Sequence, residues 1–390
     1  MFKKTVIVSL LITVLVSLFA GCNTHAQKKI EAVKRWEKQS AVANLPVAND
    51  LMEQGRNDKA MELTEKCLAV EEENAQANLI KGKLLYSQGK GEQAEVYFQR
   101  AVKYDSTLDE GWFWLGMFAQ QRDVHQQALT YYEKALAQEP SNSEYIIAIA
   151  ESYASRGKYD KAISFIERKI RSMPQNKELA VAQADLYLRS GNNSVAINIY
   201  NQVLMVNGYD ADVTAALGYC YVIDRQWSMA SDMFERLVKD ANVQQRATYL
   251  ELLAVISVNS NNYGKAVRYF DELSVNRRQD AGIWLKMGQA ALGANASKRA
   301  LACSTRALVI RAGWPDAIAL KGSAQYLAGD YIKSIQTFER IRGDKKLGCF
   351  AWLMSGRSFR KIGEHERAEL AFEKASVLDP QNKLVAYVNK

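Results

Sequence analysis

Small, apolar and turn-forming positions recur along this chain at one interval. Ala60, Ala94, Ala128, Ala162, Ala196 and Ala230 are each 34 residues apart, and after a two-residue shift the series resumes at Ala266, Ala300, Ser334 and Ala368. Twelve residues before each stands another small side chain: Ala48, Gly82, Gly116, Ala150, Ala184, Gly218, Ala254, Gly288, Gly322 and Gly356. Four residues after many members of the alanine series comes an aromatic, at Phe98, Tyr132, Tyr200, Phe234, Phe270, Phe338 and Phe372. Pro140, Pro174 and Pro380 lie eight positions beyond that aromatic slot. Segments such as Gln88-Gly89-Lys90, Arg156-Gly157-Lys158 and Ser190-Gly191-Asn192 separate the two small positions. Each unit therefore reads as helix, turn and helix, with proline ending the second. Small residues on both helices permit close approach, and the aromatic is expected to fill the gap between units. A fixed period of this length marks a repeat array whose units bury their apolar faces only against neighbours. The predicted fold class is all-α.

The third unit runs Trp112, Phe113, Trp114, Leu115, Gly116, Met117, Phe118, Ala119, then Ala128, Tyr132, Ala135 and Pro140; the tenth carries Trp352, Gly356, Phe359, Ala368, Phe372, Ala375 and Pro380. This set resembles the tetratricopeptide (TPR) family, whose pattern is W-x2-L-G-x2-Y, then A-x3-F, then P. The resemblance covers residues 41–382 as ten repeats, the first (41–74) showing only Ala48, Leu51 and Ala60. It implies a right-handed superhelical solenoid of about ten helix-turn-helix repeats, with 383–390 as a C-terminal capping helix made unusually apolar by Leu384, Val385, Tyr387 and Val388. The two extra residues near 242–246 read either as a longer turn or as a break dividing the solenoid into two arms.

Residues 1–21 read as an export signal: the basic start Lys3-Lys4 precedes a short apolar run from Val6 to Ala20. Phe19-Ala20-Gly21-Cys22 resembles the bacterial lipobox, although Phe19 replaces the usual leucine. That resemblance implies lipidation of Cys22, with palmitate among the acyl chains. Asn23, where an aspartate would retain the protein at the inner membrane, implies an outer-membrane destination facing the periplasm. Residues 22–40 are expected to form a lipid-anchored polar tether bearing Lys28, Lys29, Lys34, Arg35 and Lys38.

The net charge of +8 falls to +6 without Lys3 and Lys4, and both signs are interspersed along the chain, so nucleic acid is a poor partner. Cys67, Cys220, Cys303 and Cys349 form no C-x-x-C pair and read as buried thiols. The three histidines, His25, His125 and His365, show no metal-ligand spacing, and no phosphate-binding or zinc-protease motif occurs. No metal, cofactor or catalytic residue is expected, and the chain does not read as an enzyme.

In TPR solenoids the first helix of each pair lines the concave face through repeat positions two, five, nine and twelve. Carried over, this places Phe113, Met117, Glu151 and Asp185 in a mixed stretch with an acidic streak. Tyr219, Val222, Val255, Val258, Leu285, Leu292 and Tyr326 follow as an apolar run, and Arg357 and Arg360 as a basic end. Exposed apolar patches mark interaction sites, so the expected partner is a protein or peptide. The layout of lipobox, tether and repeats is similar to the tight-adherence (Flp/Tad) pilus assembly lipoproteins and to pilotins. It implies an assembly scaffold for secretin, pilus or secretion subunits, with recruitment of murein hydrolases or proteases, or a scaffold for polysaccharide export, as alternatives.

Overall fold

The computed structural model describes residues 27–381. The export signal, Cys22 and the cap at 383–390 lie outside the described residues. Within them every regular element is an α-helix. Helix α1 spans 27–43. Ten pairs follow, whose first members are α2 (Leu45–Glu53), α4 (Ala75–Ser87), α6 (Asp109–Gln121), α8 (Ser143–Ala154), α10 (Lys177–Arg189), α12 (Ala211–Ile223), α14 (Val243–Asn259), α16 (Ala281–Gly293), α18 (Pro315–Leu327) and α20 (Gly348–Lys361). Their second members are α3 (Asn57–Val70), α5 (Gly91–Tyr104), α7 (His125–Gln138), α9 (Tyr159–Ser172), α11 (Asn193–Asn207), α13 (Trp227–Asp240), α15 (Tyr263–Asn276), α17 (Ser297–Ile310), α19 (Tyr331–Glu339) and α21 (His365–Leu378).

The chain divides into two compact units after Leu186, inside α10. In the first, α2 to α9 pack successively in chain order, and in the second, α11 to α21 do the same. No such division falls at 242–246. The extra residues there become helix: α14 starts at Val243 and runs 17 residues, against 13 for α12 and α16. A reciprocal capping box between Asn242 and Gln245 fixes the earlier start. Of the stretch expected as a polar tether, residues 27–40 are helical. No glycine or proline interrupts 27–43, and Lys, Glu, Arg, Ala and Gln favour the helix.

The turn inside every repeat has one geometry. Gly55, Gly89, Asp123, Gly157, Gly191, Arg225, Asn261, Asn295, Gly329 and Gly363 all have positive φ. In each, the following residue's N–H bonds back to a carbonyl near the helix end, as from Arg56 to Leu51 (2.8 Å), Gln226 to Tyr221 (2.8 Å) and Glu364 to Phe359 (3.0 Å). This bond satisfies an otherwise orphaned carbonyl and needs the left-handed residue between. The sparse first repeat thus shares the turn of the others. Arg225, at φ 56°, is the costly one: a left-handed non-glycine costs about 1–2 kcal/mol. Arg225→Gly relieves that cost but frees the unfolded chain by about 0.5–1 kcal/mol. The expected net is a gain of about 0.5–1 kcal/mol, read as a higher urea midpoint; a lower midpoint would show that the arginine side chain outweighs its backbone.

All ten positions from Ala60 to Ala368, Ser334 included, are at 0% exposure, leaving no room for a larger side chain. Ser334 manages its hydroxyl by donating to the Gly322 carbonyl (2.9 Å). Opposite these residues, in the five repeats that pair a glycine with an aromatic, the ring lies over the glycine of its own first helix. A Cβ on Gly82 would stand 2.6 Å from the Phe98 ring, one on Gly116 2.4 Å from Tyr132, and one on Gly356 2.4 Å from Phe372. The ring therefore first fills its own repeat, and only its far side reaches the next: Phe98 also stacks on Trp114 (5.2 Å), and Phe338 meets Phe350 edge-on (5.7 Å). Pro140, Pro174 and Pro380 each stand two residues past the end of α7, α9 and α21.

Candidate partner-binding groove

The fourth position of the first helix serves the turn between repeats. Trp112 Nε1 donates to the Ser106 carbonyl (2.9 Å), Trp284 Nε1 to Arg278 (3.0 Å) and Asn78 Nδ2 to Glu72 (2.9 Å). These residues fasten the repeats together and are not groove anchors. The groove face starts one residue on, and the fifth position is largely closed. Leu285, expected to face solvent, packs with Ala307, Ala317 and Leu320 at 9% exposure. Leu79, Ala319 and Leu353 at the same position are also buried. Glu251, their polar counterpart, is bridged by Lys286 (2.7 Å) and Arg277 (3.7 Å).

The ninth position is where the second unit opens. Tyr219 is 41% and Val255 43% exposed, on successive first helices α12 and α14. Tyr219 is held by an edge-on contact with Phe234 (5.2 Å). Ile223, 60% exposed, stands one helical turn beyond Tyr219. The repeat positions carried over in the sequence reading passed over it; an i, i+4 step from Tyr219 would have found it. Leu327 extends the same thirteenth position on α18 at 40% exposure.

The twelfth position is half-buried. Val258 packs on the Leu250–Phe270 core, Leu292 on Ala291 and Ala300, and Tyr326 on Phe338 and Tyr331 (5.4 Å), while Val222 is half-buried on α12. At the basic end Arg357 is exposed. Arg360 is also exposed and pairs at the surface with Glu369 (3.0 Å), its guanidinium over the Phe372 ring (4.8 Å).

In the first unit, Phe113 lies between Tyr132 (5.7 Å) and Tyr145 (5.1 Å), and Met117 packs on the same cluster, so both form the rim of the core. Burial pushes the Tyr132 phenol up to about 12, and it donates a hydrogen bond to Gln120 Oε1 (3.0 Å). The acidic streak is weaker than expected because Lys83 is ion-paired with Glu110. Glu151 and Asp185 are half-buried. Cys67 and Cys303 are buried free thiols whose pKa burial raises. Cys349 donates to the Ala375 carbonyl within its own repeat (3.4 Å). Among the described residues no group of His, Cys, Asp and Glu could hold a metal ion, and no helix is long and apolar enough to cross a membrane.

Two family models match this chain. One described as "Tetratricopeptide repeat" covers residues 351–382, and one described as "Psidin, N-terminal TPR repeats region" covers 46–164. The chain is a tetratricopeptide-repeat protein. No curated protein matches its sequence. Among solved structures this TPR protein is similar to Pseudomonas aeruginosa pilF, at 15% identity over 52% of this chain and 92% of that one (TM-score 0.45). It is similar to a tetratricopeptide repeat protein from Parabacteroides merdae ATCC 43184, at 15% identity over 67% and 98% (TM-score 0.40). The MamA protein matches at 22% identity over 43% and 91% (TM-score 0.37). A TPR array is a scaffold for protein–protein contact, and in this one the second unit carries the open apolar positions.

Proposed function

We propose that this protein is a lipid-anchored scaffold at the periplasmic face of an outer membrane, which binds protein subunits of a pilus or secretion apparatus and promotes their assembly. The observation that carries the binding role is the exposed row Tyr219, Ile223 and Val255 on α12 and α14, with Arg357 at its distal end. A row of apolar side chains at helical spacing suits an amphipathic helix or extended segment of a partner. The membrane and apparatus assignments are supported by layout: a lipobox-like Phe19-Ala20-Gly21-Cys22 ahead of a chain otherwise devoted to repeats.

A photo-crosslinking residue in place of Tyr219, in cells making the full chain, tests this reading. The expected adduct contains a secretin, pilin or secretion subunit and fractionates with the outer membrane. Adducts with murein hydrolases or proteases would replace the assembly role by that of an enzyme adaptor. A wild-type chain recovered wholly in the soluble fraction would remove the anchor.

A further inference from the structure

Helix α1 is a second surface, and its chemistry differs from that of the groove. Its C-terminal end is fixed to the first unit: Ala41 and Val42 pack on the cluster of Leu45, Ala60, Cys67 and Ile80, and Lys38 pairs with Glu71 at 2.9 Å. The Lys38 hydrogen bond holds the Glu71 carboxyl below its ordinary pKa, so this strut is charged near neutrality. Beyond the strut the helix stands clear, with Ile30 57%, Val33 46% and Trp36 68% exposed. Three residues at a spacing of three fall within an arc of about 120° on an α-helix. Lys28, Arg35 and Lys38 fall on the opposite side, Lys34 lies at its flank, and Lys29 falls inside the stripe, where its stem can lie along apolar surface. Five cations stand against Glu31 and Glu37.

We propose that α1 lies flat on an anionic phospholipid surface, with Ile30, Val33 and Trp36 inserted at headgroup level, Lys29 and Lys34 beside them reaching the lipid phosphates, and the cations of the opposite face adding longer-range attraction. An apolar stripe ending in tryptophan on a cationic helix is the composition that binds in the plane of a membrane interface. A protein groove would also cover the stripe, but it would leave the excess positive charge unanswered; an anionic lipid surface answers both. The inference draws further support from the proposed anchor: an extended chain from Cys22 to residue 27 spans at most about 18 Å, so lipidation there would hold α1 at the bilayer surface. Docking then fixes the orientation of the first repeats relative to the membrane, which a flexible tether could not do.

Hydroxyl-radical footprinting of the full-length protein, added to vesicles of phosphatidylcholine alone or mixed with phosphatidylglycerol, tests the proposal. Oxidation of Trp36 is expected to fall about five- to tenfold on the anionic vesicles and to recover in high salt. Met205, exposed on α11, is expected to oxidise equally on both. Lys29→Glu/Lys34→Glu should abolish the difference while helix content by circular dichroism stays the same. Equal oxidation of Trp36 on the two vesicles, whether high or low, would overturn the proposal. Co-sedimentation with the neutral vesicles reports the lipid anchor separately, so loss of one property is distinguishable from loss of the other.

Discussion

Phe98→Ala is expected to destabilise the first unit by about 3–5 kcal/mol, the range for deleting a buried phenylalanine. Phe98 is fully buried, stacks on Trp114 with the planes 6° apart, and touches Phe118 at 6.1 Å, so its removal leaves a cavity that rigid neighbours cannot fill. The proposed cause is the ring's fit over Gly82, and a second substitution isolates it. Gly82→Ala alone gains roughly 1 kcal/mol of helix propensity. It also drives a methyl to 2.6 Å from the ring, which costs about 1–3 kcal/mol by overpacking. Overpacking wins, and the single change destabilises. In the Phe98→Ala background the ring is gone, only the propensity gain remains, and Gly82→Ala should stabilise. Urea denaturation of the four proteins gives the cycle. An effect of Gly82→Ala with the same sign in both backgrounds would show that the ring does not set the need for glycine.

That pairing also shows what was legible in the sequence. The alanines, the glycines twelve residues earlier and the aromatics four residues later are fixed by volume, and volume is written directly in residue identity. The helix pairs from 45 to 378 could therefore be placed before any coordinates. The partner of each aromatic could not, because a 34-residue period does not say whether a ring packs within its unit or across to the next; close contact with Gly82, Gly116 and Gly356 decides for its own unit. The turn was legible only where glycine marks it. At Asp123, Asn261 and Asn295 the same left-handed geometry is taken by the side chains that tolerate it best after glycine, and only at Arg225 is it imposed against local preference. Similarly, the two extra residues before repeat seven looked like loop because they broke the period, whereas the cap at Asn242 turns them into helix. The groove was the least legible part. Repeat position specifies a direction from the helix axis, but exposure depends on how closely the next pair packs. Leu285 and Val255 were thus expected on one open surface, yet only Val255 is on it.

Tyr219→Glu combined with Val255→Glu is expected to abolish partner capture through the second unit, lowering affinity by a hundredfold or more while the fold survives. Both side chains are more than two-fifths exposed and belong to the open row, so the folded scaffold keeps its core. Surface substitutions of this kind usually change stability by no more than about 0.5 kcal/mol. In a complex the same positions lose water. Each carboxylate then faces apolar partner surface, and an unpaired charge there costs several kcal/mol. One such cost of about 3 kcal/mol already corresponds to a hundredfold change, and two on adjoining repeats should exceed it. The control is Met205→Glu/Val309→Glu, at the highly exposed ends of the second helices α11 and α17. It adds the same two charges away from the row and should leave capture intact. Quantitative crosslinking from a probe at Ile223, with thermal denaturation to check the fold, reads both effects. Unchanged capture by Tyr219→Glu/Val255→Glu would move the binding surface off α12 and α14. Loss in the control as well would point instead to net charge as the determinant, and with it to an electrostatic mode of recognition rather than an apolar groove.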